Sequence, residues 1–489
     1  MESSSLSAPT SPTTPKTIPL PQSPPPRTPA SSPTSPTSQK SPIHSPTSST
    51  TSSKGTTPKI AIIGAGPAGT LLARLLTLSS IPYTLYEADS SPNYRSQGGT
   101  LDLHTSTGLL ALKRAQLFDE FLKHARYDGD HLQITDHSLR VFLKNVGAEN
   151  KDGPGVREAR PEIDRARLRQ FLTESVPAEN IAWGAKVKSL EREAREGTWR
   201  VKFDNDGEKQ DEGGFTLVVG ADGAFSKVRS TVLSVKRPEF AGIGEYDLAM
   251  PDAEHKAPEL YKAVNRGSIF AHKEGIRLAL QQLGDGSIGI YVLFRTERSD
   301  WAEREGFDTK NLDEVKKSLL APGGLLDGWA DLLRQSVERC EGQVTTRSLY
   351  QLPVGFRWEH APGVTLVGDA AHLMTPYAGE GVNVALEDSM RLAQGIVDAV
   401  RGNGGGRVLA DVLDNALREY EGEMWVRAEK VAKLTDELTK LWMFTPDTPG
   451  SVIAKTTALH VKFHTAPIMQ PFATVGVHAW VAWKNLTGW

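Results

Sequence analysis

In 489 residues there is one cysteine, Cys340. That excludes an internal disulfide framework and a thiolate metal cluster, and it fits a reducing compartment, the cytoplasm. No redox or nucleophile motif surrounds Cys340, so it reads as an ordinary buried thiol. An excess of either charge is also lacking, with 56 Lys and Arg against 59 Asp and Glu. Such a balance gives no electrostatic reason for nucleic acid or an acidic membrane surface as a partner. There is no apolar signal-peptide segment near the start and no arginine-rich amphipathic one. The aromatic-rich stretch 466–489 holds Gln470, His478 and two prolines, too interrupted for a membrane span. Packing on the protein is expected there before a monotopic membrane contact.

What is present begins with residues 1–57, built almost entirely of Ser, Thr and Pro. They cannot bury enough surface to offset the entropy of ordering, so a disordered, solvated tail is expected. Length alone suggests two or three units in the whole chain.

The chain is organised around Lys59-Ile60-Ala61-Ile62-Ile63-Gly64-Ala65-Gly66-Pro67-Ala68-Gly69-Thr70. The apolar run reads as a buried parallel strand, and the spacing of Leu71, Leu72, Leu75 and Leu76 reads as a helix. Glycines on a strand-to-helix turn have separate tasks. Gly64 permits the tight turn, Gly66 lets a pyrophosphate approach the backbone, and Gly69 lets the helix pack on the strand. The helix dipole and its orphan amides, Ala68 among them, then face the phosphates. A second strand, Tyr83-Thr84-Leu85-Tyr86, ends in Glu87, where an acid would bond a ribose hydroxyl. An acid there disfavours a 2'-phosphate, so this turn calls for the adenosine of FAD or NAD, not of NADP.

The same pattern recurs twice. Phe215-Thr216-Leu217-Val218-Val219 stops at Gly220-Ala221-Asp222-Gly223, and Val364-Thr365-Leu366-Val367 stops at Gly368-Asp369. In open α/β sheets ligands collect at the carboxyl ends of strands, so both turns should face the first crevice. Between them, from about 237 to 344, short alternating strands such as Arg277-Leu278-Ala279-Leu280-Gln281 predict a largely antiparallel sheet. An amphipathic helix is expected over 106–121. Leu413, Leu417, Tyr420, Met424, Val431, Leu434, Leu438 and Leu441 predict one long helix of about 50 Å beyond a glycine linker at 402–406.

Together, Gly64-Ala65-Gly66-Pro67-Ala68-Gly69, Gly220-Ala221-Asp222-Gly223 and Leu366-Val367-Gly368-Asp369-Ala370-Ala371-His372 resemble the single-component FAD-dependent aromatic hydroxylases. Gly98-Gly99-Thr100-Leu101-Asp102-Leu103-His104, Pro161-Glu162-Ile163-Asp164-Arg165 and Gly368 to Met374 look like the tetracycline-inactivating branch. The likeness runs from about 58 to 440.

This resemblance implies an α/β fold: a discontinuous Rossmann-like FAD-binding domain, an inserted mostly antiparallel substrate domain and a long C-terminal helix. The expected boundaries are 58–121, 152–236 and 343–400 for FAD binding, and 122–151 and 237–342 for substrate. The helix would span 407–445, with an extension over 446–489. By resemblance, Glu87 binds the adenosine ribose, Arg165 the flavin nucleotide, and Asp369 the ribityl chain or pyrophosphate. Gly98, Gly99 and Asp102 lie beside the isoalloxazine ring, and Asp222 combines FAD support with NADPH contact. Gly379, Gly381 and Val382 place amides and a helix N-terminus at the pyrimidine end of the flavin. Asp102 and Tyr377 shape the reacting face.

Ala88 follows Glu87 where relatives commonly have Arg, which removes one adenylate contact, and Thr375-Pro376-Tyr377 alters the pocket wall. His372 reads as support for its turn. The implied activity is a monomeric, cytoplasmic monooxygenase that uses NADPH and molecular oxygen on an aromatic or polyketide-like small molecule. The alternatives are a flavin-dependent halogenase or reductase, or a non-catalytic flavoprotein. The halogenases' paired-tryptophan motif does not occur, since Trp480-Val481-Ala482-Trp483 lacks the following proline.

Overall fold

Ile60–Ile63 is buried at every position and lies at the centre of a five-stranded sheet. The order is Val364–Leu366, Leu217–Gly220, Ile60–Ile63, Tyr83–Glu87, Ile181–Trp183, and every pairing is parallel. The continuous apolar runs follow from that position, because a parallel sheet is covered on both faces. Its core takes side chains from the helices Pro67–Leu78 and Gly381–Gly402 and from the antiparallel strands Val187–Arg192, Trp199–Asn205 and Glu208–Phe215. The computed structural model describes residues 57–464 except 93–97, 128, 130, 146–159, 195–196, 206–207 and 403–408. The expected disordered tail, Arg95-Ser96-Gln97, the glycines of the linker after 402 and the aromatic stretch 466–489 lie outside the described residues.

A second sheet has seven strands among the described residues, in the order Thr345–Gln351, Glu239–Met250, Ile288–Arg295, Ile276–Gln282, Ser268–Lys273, Leu132–Asp136, Val141–Asn145. It is antiparallel except where Ser268–Lys273 runs parallel to Leu132–Asp136. Its edge strand Thr345–Gln351 lies past the expected boundary at 342, because Thr345 to Ser348 register with Asp247 to Gly244. One face, including Leu248, Leu278, Leu280 and Ile290, packs on the helices Ala253–Lys256, Pro258–Val264, Leu312–Leu320 and Asp331–Glu338. These helices stand where the alternation pattern predicted strands alone. They are short, and the helical spacing of Leu312, Val315 and Leu319 in the longest of them is masked by the strand pattern on either side.

The helix expected over 106–121 is two, Gly108–Arg114 and Phe118–Leu122, separated where Gln116 takes a positive φ of 57°. The long helix runs Leu409–Phe444. Its first half, with Leu417 and Met424, joins the parallel-sheet core, and its second half, with Leu438 and Trp442, packs with Ile243 and Leu293 of the seven-stranded sheet. No helix among the described residues is long and apolar enough to cross a membrane.

Candidate active site

The carboxyl ends of three parallel strands meet where the glycines predicted. Gly64 has φ 107°, and a Cβ there would sit 2.4 Å from the Ala221 carbonyl oxygen. A Cβ on Gly69 would sit 1.9 Å from the Gly64 carbonyl oxygen. Both positions therefore exclude any side chain, and the first turn abuts the Ala221 turn. Gly66 faces open space, with no atom within 4 Å of a Cβ placed there. It caps the helix Pro67–Leu78, whose first internal bond runs from the Thr70 amide to the Gly66 carbonyl at 3.0 Å. The Ala68 and Gly69 amides precede that bond and point out of the helix end. Glu87 is buried, and its two oxygens accept from the Ala65 amide at 2.6 Å and the Asp89 amide at 2.9 Å. It braces the first turn as well as lying where a ribose acid is expected.

The second turn has its own lock. Asp222 accepts from Ser226 Oγ at 2.5 Å and from the Lys227 amide at 2.6 Å, while burial raises its carboxyl above the usual range. Gly223 at φ 73° permits the reversal. Arg229, 1% exposed, then donates to the Ala370 carbonyl at 2.7 Å and to Ala224 at 2.5 Å, joining the second turn to the third. The sequence reading gave Arg229 no role, and its only signal was a cation just after the Asp-Gly turn.

In the third turn, Gly368 has φ 60° and lies 3.2 and 3.4 Å, measured from a hypothetical Cβ, from the Cβ atoms of Ala385 and Ala68. Asp369 is exposed at the start of the short helix Asp369–His372. His372 is buried, with Nε2 2.5 Å from Asp388 Oδ2. Asp388 also accepts from the Gly368 amide at 3.2 Å and pairs with Arg427 at 3.3 Å. His372 thus supports its turn, held in place by an acid that the sequence reading did not single out.

Gly98 and Gly99 approach the remaining groups. Gly98 has φ 147°, and a Cβ would meet Arg165 Cδ at 2.7 Å; Arg165 is exposed, and its amide donates to the Gly99 carbonyl at 3.1 Å. A Cβ on Gly99 would meet Gln281 Oε1 at 2.5 Å and the Tyr291 hydroxyl at 2.9 Å, both on the seven-stranded sheet. Asp102 lies on the strand Thr100–Asp102 and bonds His104 Nε2 at 3.0 Å, and His104 Nδ1 lies 3.3 Å from Glu380. Burial opposes protonation of His104, but the bonds and charges of Asp102 and Glu380 outweigh it and raise its pKa to about 9. Asn383, fully buried, clamps the same strand: its amide donates to the Asp102 carbonyl at 2.9 Å and its oxygen accepts from the His104 amide at 2.9 Å.

Gly379, at φ 71°, is 3.6 Å from Asp102 Oδ1 measured from a hypothetical Cβ, and Gly381 and Val382 open the helix Gly381–Gly402. Tyr377 is buried nearby on the turn Pro376–Ala378, with the Arg277 guanidinium carbon 5.3 Å from its ring centre. Of the predicted site residues, Glu87, Asp222 and Asp369 thus belong to three adjacent turns. Gly98, Gly99, Asp102, Arg165 and Gly379 form a second contiguous group. His104 and Glu380 belong with that group and were missed, although each stands inside a motif picked for its neighbours.

Three glycine turns at strand ends, one facing open space before a helix N-terminus, fit a dinucleotide. A family model described as FAD binding domain matches residues 57–418. The chain belongs to this family. Over 414 residues it is 30% identical to Monooxygenase penA of Penicillium thymicola, covering 77% of this chain and 93% of that one. It is 29% identical over 423 residues to Monooxygenase asqM of Emericella nidulans, covering 77% and 94%. Tetracycline destructase Tet(55) superposes with TM-score 0.60 at 18% identity, covering 84% and 97%, a likeness of fold. The chain is an FAD-dependent monooxygenase, and the resemblance to the aromatic hydroxylases holds. The flavin chemistry therefore belongs to the cofactor.

Proposed function

We propose that this monooxygenase uses NADPH as reductant and places one oxygen atom on an aromatic or polyketide-like small molecule, in secondary metabolism or detoxification. Bound FAD supplies the two-electron and oxygen chemistry, and the chain supplies position, dryness and charge. The observation that carries the reading is the contact of Gly99 with Gln281 and Tyr291, since it sets the cofactor strand directly against the seven-stranded sheet. Gly66, Ala68 and Gly69 would offer amides to the pyrophosphate, Glu87 a carboxylate to the ribose, and Asp369 its exposed carboxylate to the ribityl chain. Gly381 and Val382 would present amides at a positive helix end, where negative charge is stabilised. Asp102 and Tyr377 would form walls of the reacting space, and Asp222 would act through the turn it caps, on the side where NADPH approaches.

The test is NADPH consumption by FAD-loaded protein across phenolic and polyketide compounds, with products read by mass for a gain of one oxygen. A halogenase would instead require halide and yield no such product. Protein that holds FAD yet consumes no NADPH with any compound would sink the oxygenase reading. Asp369→Ala is expected to purify without the yellow colour, and full FAD occupancy in that variant would refute the role given to Asp369.

A further inference from the structure

The turn that leads into the helix Gly381–Gly402 has little rigidity of its own. Glu380 stands between Gly379, at φ 71°, and Gly381, and no atom lies within 4 Å of a Cβ placed on Gly381. Two glycines give such a segment the widest choice of backbone angles, so a contact from outside must fix its path. That path sets the start of the helix, because the Glu380 carbonyl accepts from the Val384 amide at 3.0 Å. The Gly381 and Val382 amides precede that bond, and their direction follows that of Glu380.

The fixing contact comes from a segment almost three hundred residues earlier. The Glu380 side chain is 8% exposed, and its Oε2 lies 3.3 Å from His104 Nδ1. The other ring nitrogen, Nε2, lies 3.0 Å from Asp102 Oδ2. A neutral imidazole carries one N–H and can donate to only one of two carboxylates, so a carboxylate on each nitrogen calls for the imidazolium. Burial opposes that charge, but the bonds and charges of Asp102 and Glu380 outweigh it and raise the pKa to about 9. One step out, Glu162 lies opposite Asp102 in the strand register and is paired with Arg126 at 3.2 Å.

The strand end is fastened without this charge. Asn383 donates to the Asp102 carbonyl and accepts from the His104 amide, both at 2.9 Å, and it accepts from Thr107 Oγ1 at 3.3 Å. The Glu380 side chain, by contrast, is held through His104.

We propose that His104 is a positioning residue for the flavin: bridging Asp102 and Glu380, it fixes the Gly379–Gly381 turn so that the Gly381 and Val382 amides keep their aim at the pyrimidine end of the ring. This rests on the reading that places the flavin at those amides. Because the bridge needs a hydrogen on each ring nitrogen, the turn is held at neutral pH and released as pH rises through about 9. Apparent affinity scales with the fraction of protein in the competent form, so one pH unit beyond that point weakens FAD binding about tenfold. The adenosine and pyrophosphate half, assigned to the first turn, should not respond.

FAD affinity is read from the recovery of flavin fluorescence as FAD-loaded, full-length protein is diluted. The affinity of ADP-ribose, which carries the nucleotide half without the ring, is read from its displacement of FAD. Between pH 7.5 and 10 the unaltered protein should lose about tenfold in FAD affinity and keep its ADP-ribose affinity within about twofold. His104→Gln should bind FAD about tenfold more weakly already at pH 7.5, with ADP-ribose unchanged. Loss of the flavin's own imide proton at high pH is common to both proteins and cancels in their ratio. Glu380→Gln keeps an acceptor but removes one charge, so its loss of FAD should begin at a lower pH than in the unaltered protein. FAD and ADP-ribose weakening together in His104→Gln overturns the proposal, and so does a pH profile that this variant shares with the unaltered protein. An FAD affinity that is flat from pH 7.5 to 10 in the unaltered protein overturns it too, even where a variant fails to fold. Protein that shows the expected ratios yet consumes no NADPH with any compound sinks the oxygenase reading alone.

Discussion

His104 sits between two acids from distant parts of the chain, and its charge joins the Thr100–Asp102 strand to the loop holding Glu380. Its pKa is about 9 in the folded protein against an ordinary 6.5. A group whose pKa rises on folding stabilises fully below the unfolded value and loses that contribution as pH climbs through the folded one. Relative to His104→Gln, the natural protein should therefore be more stable by on the order of 1–2 kcal/mol below about pH 6.5, allowing for partial exposure. The difference should shrink between pH 6.5 and 9 and disappear above, which urea unfolding at a series of pH values will read. A pH-independent difference would mean that the imidazole acts by shape alone. Sequence showed His104 beside a predicted flavin strand, but Glu380 lies far along the chain and nothing local pairs the two.

Among elements, the glycine turns are the part most fully legible in sequence, because their constraint is steric and local. Gly69→Ala would force a methyl to within 1.9 Å of the Gly64 carbonyl. The backbone cannot yield there without moving the first strand, so that variant should lose several kcal/mol and its FAD together, as overpacking without relief does. Gly66→Ala meets open space. It should fold with near-normal stability and bind FAD more weakly, a split that thermal unfolding and FAD titration will separate. The helices Leu312–Leu320 and Asp331–Glu338 were not legible, because their apolar stripes acquire meaning only against the sheet face they cover. The break at Gln116 is of the same kind, since a single period ran across it.

For the molecule as a whole, the helix Leu409–Phe444 is shared by both cores. Leu438 is fully buried at the seven-stranded sheet, so Leu438→Ala should cost about 2–5 kcal/mol. Because the helix also carries Leu417 and Met424 in the parallel-sheet core, loss of flavin and loss of helix signal in urea should shift together; separated transitions would show that the helix does not couple them. Local chemistry in the sequence determined the α/β class, the three strand-end turns and the periodic long helix, because backbone sterics and hydrophobic period act over a few residues. The tertiary structure alone decided which buried charges meet: His104 with Glu380 as well as Asp102, and His372 with Asp388. Sheet register and helix packing bring Glu380 to His104 from far along the chain, and the helix Gly381–Gly402 carries Asp388 back onto the third turn, where no local pattern reaches.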